Sequence, residues 1–137
     1  MIVLDTSVPI AIIFGEPTAP LLSARLAEDT APVMSVASYL EAGTVIAGRN
    51  PSGASAAIDY LERFLTETGT ELRPVDEAQA RIALRARILY GRGMGHGGTL
   101  NYGDTFAYAL AKSLDAPLLF VGDDFTATDV KIALRPG

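Results

Sequence analysis

The chain has no cysteine among its 137 residues. Disulfides, thiolate metal sites and a cysteine nucleophile are thereby excluded, and a cytoplasmic location fits. It has a single histidine, His96, so beyond ordinary hydroxyls it offers no obvious nucleophile of its own. A positive surplus is also missing: 11 Lys and Arg stand against 16 Asp and Glu, a net charge of −5. Proteins that hold nucleic acid by charge alone are usually basic. The balance therefore counts against a passive nucleic-acid-binding module, but not against an enzyme whose metal ions neutralise substrate phosphates. No apolar run approaches the ~18 residues needed to span a bilayer, and the opening MIVLDTS carries neither a basic leader nor a signal-peptide core. A soluble protein with no membrane partner is expected. Internal repeats, linkers and low-complexity tails are lacking as well, which predicts one domain over residues 1–137.

What is present suits a packed core: 49% of residues are hydrophobic and 20% charged, a composition that argues against disorder. Residues 2–4 (IVL) read as a strand buried on both faces and ending at Asp5. Pro9 sits where a first helical turn tolerates it, and Gly15 and Pro17 end that helix. Thr18 can cap a second helix with Pro20 near its start. VMSV (33–36) reads as a second strand, and SYLEAGTVIAGR (38–49) as a helix opened by a capping box in which Ser38 is followed three residues later by Glu41. Residues 50–53 form a turn and 54–67 an amphipathic helix with Ala54, Ile58, Leu61 and Leu65 in register. ELRPV (71–75) reads as an edge strand because of Pro74. Asp76 opens the next helix, GRGMGHGG (91–98) is a glycine-rich loop, 104–114 is a helix and PLLFV (117–121) the last buried strand. Short apolar strands alternating with helices predict an α/β fold: a three-layer α/β/α sandwich around a short, mainly parallel sheet.

In such a sheet the helix N-termini and the strand C-termini share one rim, and open α/β sheets bind ligands there. Asp5 follows the first strand and Asp123 the last; Glu41 and Asp104 lie in the opening turns of helices. Each alone reads equally well as a cap or turn residue; their agreement on one rim carries the inference. Two carboxylates about 4 Å apart repel by roughly 4 kcal/mol at an effective dielectric near 20, so gathering four calls for a cation. All-oxygen ligands suit a hard ion, Mg²⁺ with Mn²⁺ as a substitute. Asp5, Glu41, Asp104 and Asp123 are thus both the metal-ligand and the catalytic candidates. The chemistry that follows is hydrolysis of a phosphodiester by a water that the ion activates.

MIVLDTS, the S-x-x-E of SYLEAG, NYGDTFAYALAK and PLLFVGDDFTATD together resemble the PIN-domain family, and within it the VapC-type toxins of bacterial toxin–antitoxin pairs. The resemblance spans nearly the whole chain. It implies a Mg²⁺-dependent endoribonuclease that cuts RNA, is neutralised by a small cognate antitoxin and forms a homodimer. It further implies that Asp5 and Asp104 are the principal metal ligands, that Glu41 and Asp123 complete the quartet, and that Thr6 or Ser7 hydrogen-bonds within the site. The last motif holds two adjacent acids. Asp123 is preferred because it follows the strand end at Val121-Gly122, with Asp124 as the substitute and Asp129 read as a cap or turn residue.

Gly93, Gly95 and Gly98 satisfy G-x-G-x-x-G, but that fingerprint should follow a strand and open a helix directly, and here it does neither. Arg92 and His96 on this loop could reach RNA phosphates. Arg81, Arg85 and Arg87 read as a solvated helix face, and Tyr102 and Tyr108 as core or rim packing. Two other functions fit some features: an inactive module that sequesters antitoxin or RNA, and a phosphatase with Asp5 as nucleophile. The latter requires a second Asp two positions on, where this chain has Ser7.

Overall fold

The computed structural model describes residues 1–28 and 31–134. Strand β1 (Ile2–Leu4) leads through Asp5 and Thr6 into helix α1 (Ser7–Ile13), and α2 (Ala19–Ala27) follows. Then come β2 (Pro32–Ser35), α3 (Val36–Arg49), a 3₁₀ turn (Pro51–Gly53), α4 (Ala56–Thr68), β3 (Glu71–Arg73), α5 (Glu77–Tyr90), α6 (Asp104–Leu114) and β4 (Leu118–Leu119). The four strands form one sheet in the order β3-β2-β1-β4, and every pairing is parallel.

Side chains alternate across a strand, and the alternation sorts the core into two layers. Ile2, Leu4, Met34 and Leu119 face α1 to α4 and pack on Leu22, Ala42, Leu61 and Phe64. Val3, Val33, Leu118 and Phe120 face α5 and α6 and pack on Ala86, Ala107, Leu110 and Phe125. Strands of two to four residues survive because both faces are covered, each fully buried Leu, Ile or Phe contributing about 1.5–3 kcal/mol. The α/β/α sandwich is the one expected from sequence, with β3 at the edge.

Two boundaries differ from expectation, each for a local reason. The second strand ends at Ser35, and α3 starts at Val36, two residues early. Ser35 is its N-cap, with Oγ accepting from the Ala37 N–H at 3.2 Å. Ser38 is a buried residue inside the helix, so the Ser38–Glu41 capping box does not form. The final strand is shorter than 117–121. It pairs with β1 through Val3 N–H to Pro117 O and Asp5 N–H to Leu119 O, but the Val121 N–H turns away to the Ser7 hydroxyl at 3.0 Å. Beyond it the chain returns along the outer edge: Leu118 N–H donates to Lys131 O and Ala133 N–H to Leu118 O. This covering protects an otherwise open strand edge. Among the described residues no helix is long and apolar enough to cross a membrane.

Candidate active site

Asp5 stands where β1 ends, its N–H still donating to Leu119 O at 3.0 Å. Its side chain is buried because it sits in the middle of the sheet rim, between the exits of β2 and β4. Oδ2 accepts from the Ser7 hydroxyl at 2.6 Å and from the Ser7 N–H at 3.1 Å. Since the same hydroxyl accepts from Val121 N–H, Ser7 ties the carboxylate to the end of β4. The residue that a phosphatase of the kind considered above would need as an acid is here a donor to Asp5. Burial raises the Asp5 pKa above the ordinary range against the lowering effect of the Ser7 hydrogen bonds, and the charge of Glu41 raises it further.

Glu41 reaches the same rim from the second turn of α3. Its Oε1 accepts from Thr6 Oγ1 at 2.8 Å, and that hydroxyl also lies 3.3 Å from Ser38 O. Thr6 and Ser7, the pair flanking the turn out of β1, thus each hold one acid.

Asp104 opens α6 and is buried. Its Oδ2 accepts from Asn101 N–H at 3.0 Å while Asn101 Oδ1 accepts from Asp104 N–H at 2.9 Å. The two residues satisfy each other's amides reciprocally at the start of α6, whose N-cap is Gly103. The Asp104 pKa is pushed up to about 7, first by burial and then by the charges of Asp5, Asp124 and Glu41, against the hydrogen bond from Asn101.

Two adjacent acids follow β4. After β4 the chain turns at Gly122, whose φ of +90° is a left-handed conformation that glycine adopts without strain. Asp123 follows it into solvent. Asp124 is half-buried, its carbonyl accepts from Thr99 Oγ1, and the next residue, Phe125, is anchored on Phe120 at 5.0 Å between rings. Asp124, unlike Asp123, is thus partly buried, and its charge is among those that raise Asp104. Asp129 is a tertiary tie, accepting from the Tyr108 hydroxyl and from Lys112 Nζ at 3.1 Å.

Asn101 and Gly103 are absent from the candidates expected from sequence, although the spacing Asn101-x-x-Asp104 carries a capping signal. Gly103 packs directly against the Glu41 carboxylate. Beside these residues a groove of about 570 Å³ opens, shared by Glu41, Asn101 and Gly103 with Leu40, Tyr102 and Phe106. Tyr102 is 73% exposed and stands edge-on to Phe106 at 5.1 Å, a rim residue; Tyr108 is buried. Among the glycine-loop residues, Gly93, Gly95 and Gly97 take positive φ. His96 and Arg92 are exposed.

The donor set fits a hard divalent cation. All the donors are oxygens, burial and mutual repulsion raise both Asp5 and Asp104, and the ion pairs found among the described residues leave all four acids out. A positive charge here would offset repulsion that no Lys or Arg of those pairs relieves. Among the described residues no group of three or more acidic or histidine side chains is arranged to hold a metal ion by itself. Mg²⁺ does not need one, since it takes one or two carboxylates and keeps several of its waters.

Comparison with known proteins identifies the family and the fold. Residues 2–131 match the PIN domain family. The chain is 45% identical over 130 residues to the ribonuclease VapC of Mycolicibacterium smegmatis, covering 93% of this chain and 96% of that one. The fold superposes on the crystal structure of Mycobacterium tuberculosis VapC20, a sarcin-ricin loop cleaving toxin, with a TM-score of 0.78 at 17% identity, covering 99% and 100% of the two chains. A toxin–antitoxin complex from Klebsiella pneumoniae gives a TM-score of 0.67 at 16% identity over 94% and 93%. The chain belongs to the PIN-domain family, and within it to the VapC type.

Proposed function

We propose that this protein is a divalent-metal-dependent endoribonuclease, the toxin of a toxin–antitoxin pair, working in the cytoplasm as a single-domain subunit of a homodimer. One observation carries the reading. Asp5, Glu41, Asp104 and Asp124 come from four separate parts of the fold to one partly buried rim, where the charge of Glu41 acts on Asp5 and those of Asp5, Asp124 and Glu41 act on Asp104. The ribonuclease name of the Mycolicibacterium relative and the antitoxin in the Klebsiella complex supply the substrate class and the partner.

When bound, Mg²⁺ or Mn²⁺ supplies a Lewis acid that offsets charge on the substrate phosphate and makes water a stronger nucleophile at neutral pH. The chain's own residues do the rest. Asp5 and Asp104 are the principal ligands, each oriented through Oδ2, by Ser7 and Asn101 respectively. Glu41, held by Thr6, and Asp124 complete the acidic set. A carboxylate of this set that is not fully engaged with the ion orients or deprotonates the attacking water. The groove beside Glu41 gives the flanking nucleotide a place to lie, with Tyr102 on its wall.

The test is RNA cleavage by the purified protein with Mg²⁺, with excess EDTA, and by Asp5→Asn. Cleavage should need the ion and vanish in the variant. Cutting that persists in EDTA, or in Asp5→Asn at the wild-type rate, would overturn the reading.

A further inference from the structure

Gly103 occupies a backbone conformation that does not call for glycine. Its φ of −63° and ψ of −38° are right-handed helical values that any residue adopts, at the N-cap position of α6. The three atoms that a Cβ placed at Gly103 would approach most closely all belong to the carboxylate of Glu41, 2.7 Å from Cδ and from Oε1 and closer still to Oε2. Other glycines of the loop before α6 contrast with it. A Cβ at Gly91 would strike the Arg87 carbonyl, and one at Gly98 the Tyr90 carbonyl, so those two are required by the path of the main chain. At Gly103 the obstacle is the end of a flexible side chain, which can move away without unfolding anything.

We propose that Gly103 is a positioning residue whose missing side chain is the seat of the Glu41 carboxylate. This rests on the nuclease reading for its consequence, though not for its geometry. Glu41 approaches from α3, and Thr6 Oγ1 holds only one of its oxygens. The Cα surface of Gly103 is the wall that fixes the other side of the carboxylate, one residue before Asp104. An added methyl would push the carboxylate off this wall and away from the Thr6 hydroxyl, taking one acid out of the set that faces the cation while leaving the helix start intact.

A metal-free double-mutant cycle followed by thermal melting tests the seat. Gly103→Ala should change the melting temperature little in the Glu41→Ala background, where no carboxylate stands in the way. In the Glu41 background the same substitution should lower it by about 2–4 °C. Calorimetry with Mn²⁺ tests the consequence: Gly103→Ala alone should weaken binding, and slow RNA turnover, by about 10- to 100-fold, as loss of an orienting contact does. Added to Glu41→Ala it should change neither further. Gly103→Ala/Glu41→Asp, whose acid is one methylene shorter, should recover part of the loss. Equal melting shifts in the two backgrounds would overturn the proposal, as would Mn²⁺ affinity and turnover in Gly103→Ala equal to wild type. If the wild-type protein itself neither binds Mn²⁺ nor cuts RNA, the nuclease reading falls, and the melting cycle still decides whether the seat exists.

Discussion

The openings of α3 and α6 each place an acid on the same rim by opposite means. At α3 the local capping is done by Ser35, so Glu41 has no duty to its own helix and is positioned by tertiary contacts, Thr6 on one side and Gly103 on the other. At α6 the acid is tied locally: Asp104 and Asn101 satisfy each other's amides, and the same carboxylate also faces the site. A mobile acid is thus fixed from outside, while a locally tied acid serves two roles. Substitutions at the two openings should therefore separate stability from activity differently.

The largest effect is expected at α6. Asp104→Asn keeps an oxygen to accept from Asn101 but removes the charge, so RNA cleavage should fall to background while the metal-free protein melts at a higher temperature near pH 8. Asn101→Ala should instead lower both activity and melting temperature, since it removes the acceptor of the Asp104 N–H, a hydrogen bond worth about 1 kcal/mol. A fall in metal-free stability in Asp104→Asn would show that its charge serves the helix rather than the site.

A smaller effect is expected from pH. The folded-state pKa of Asp104 is raised from 3.8 to about 7, so between these values the folded protein holds a proton that the unfolded chain has released. Folding is then linked to proton uptake, and metal-free stability should fall as pH rises from about 4 to about 7 and level off above. Burial of Asp5 acts in the same direction. Melting curves of wild type and Asp104→Asn across this range check the sign; the slope should be visibly shallower in the variant. A wild-type curve that rises over this window would contradict it.

The smallest effects lie at the start of α3 and concern its cap alone. Ser35→Ala should lower the melting temperature by about 3 °C, the equivalent of a lost N-cap. Ser38→Ala should be neutral or slightly stabilising, because the Ser38 hydroxyl is buried without a hydrogen-bond partner in the structure and its removal relieves a desolvated polar group. The reverse ranking would restore Ser38 as the cap.

Much of this architecture is legible along the chain. The strands are short apolar runs, the helices have 3.6-residue periodicity, and both patterns depend on neighbours only a few residues away, so the α/β/α layering and the rim location of Asp5, Glu41 and Asp104 follow from them. Helix caps are also local, yet Ser38-x-x-Glu41 fits the capping box and does not form it, because Ser35 already ends the strand and caps α3. What chain order could not decide was which side chains meet. Whether Asp123 or Asp124 faces Asp104 depends on the left-handed turn at Gly122 and the anchoring of Phe125, and the role of Gly103 depends on a glutamate 62 positions earlier. Periodicity and propensity are set by near neighbours and can be read from them. The position of a carboxylate is set by packing between elements distant in sequence, and that exists only once the sheet and its two helical layers have closed around it.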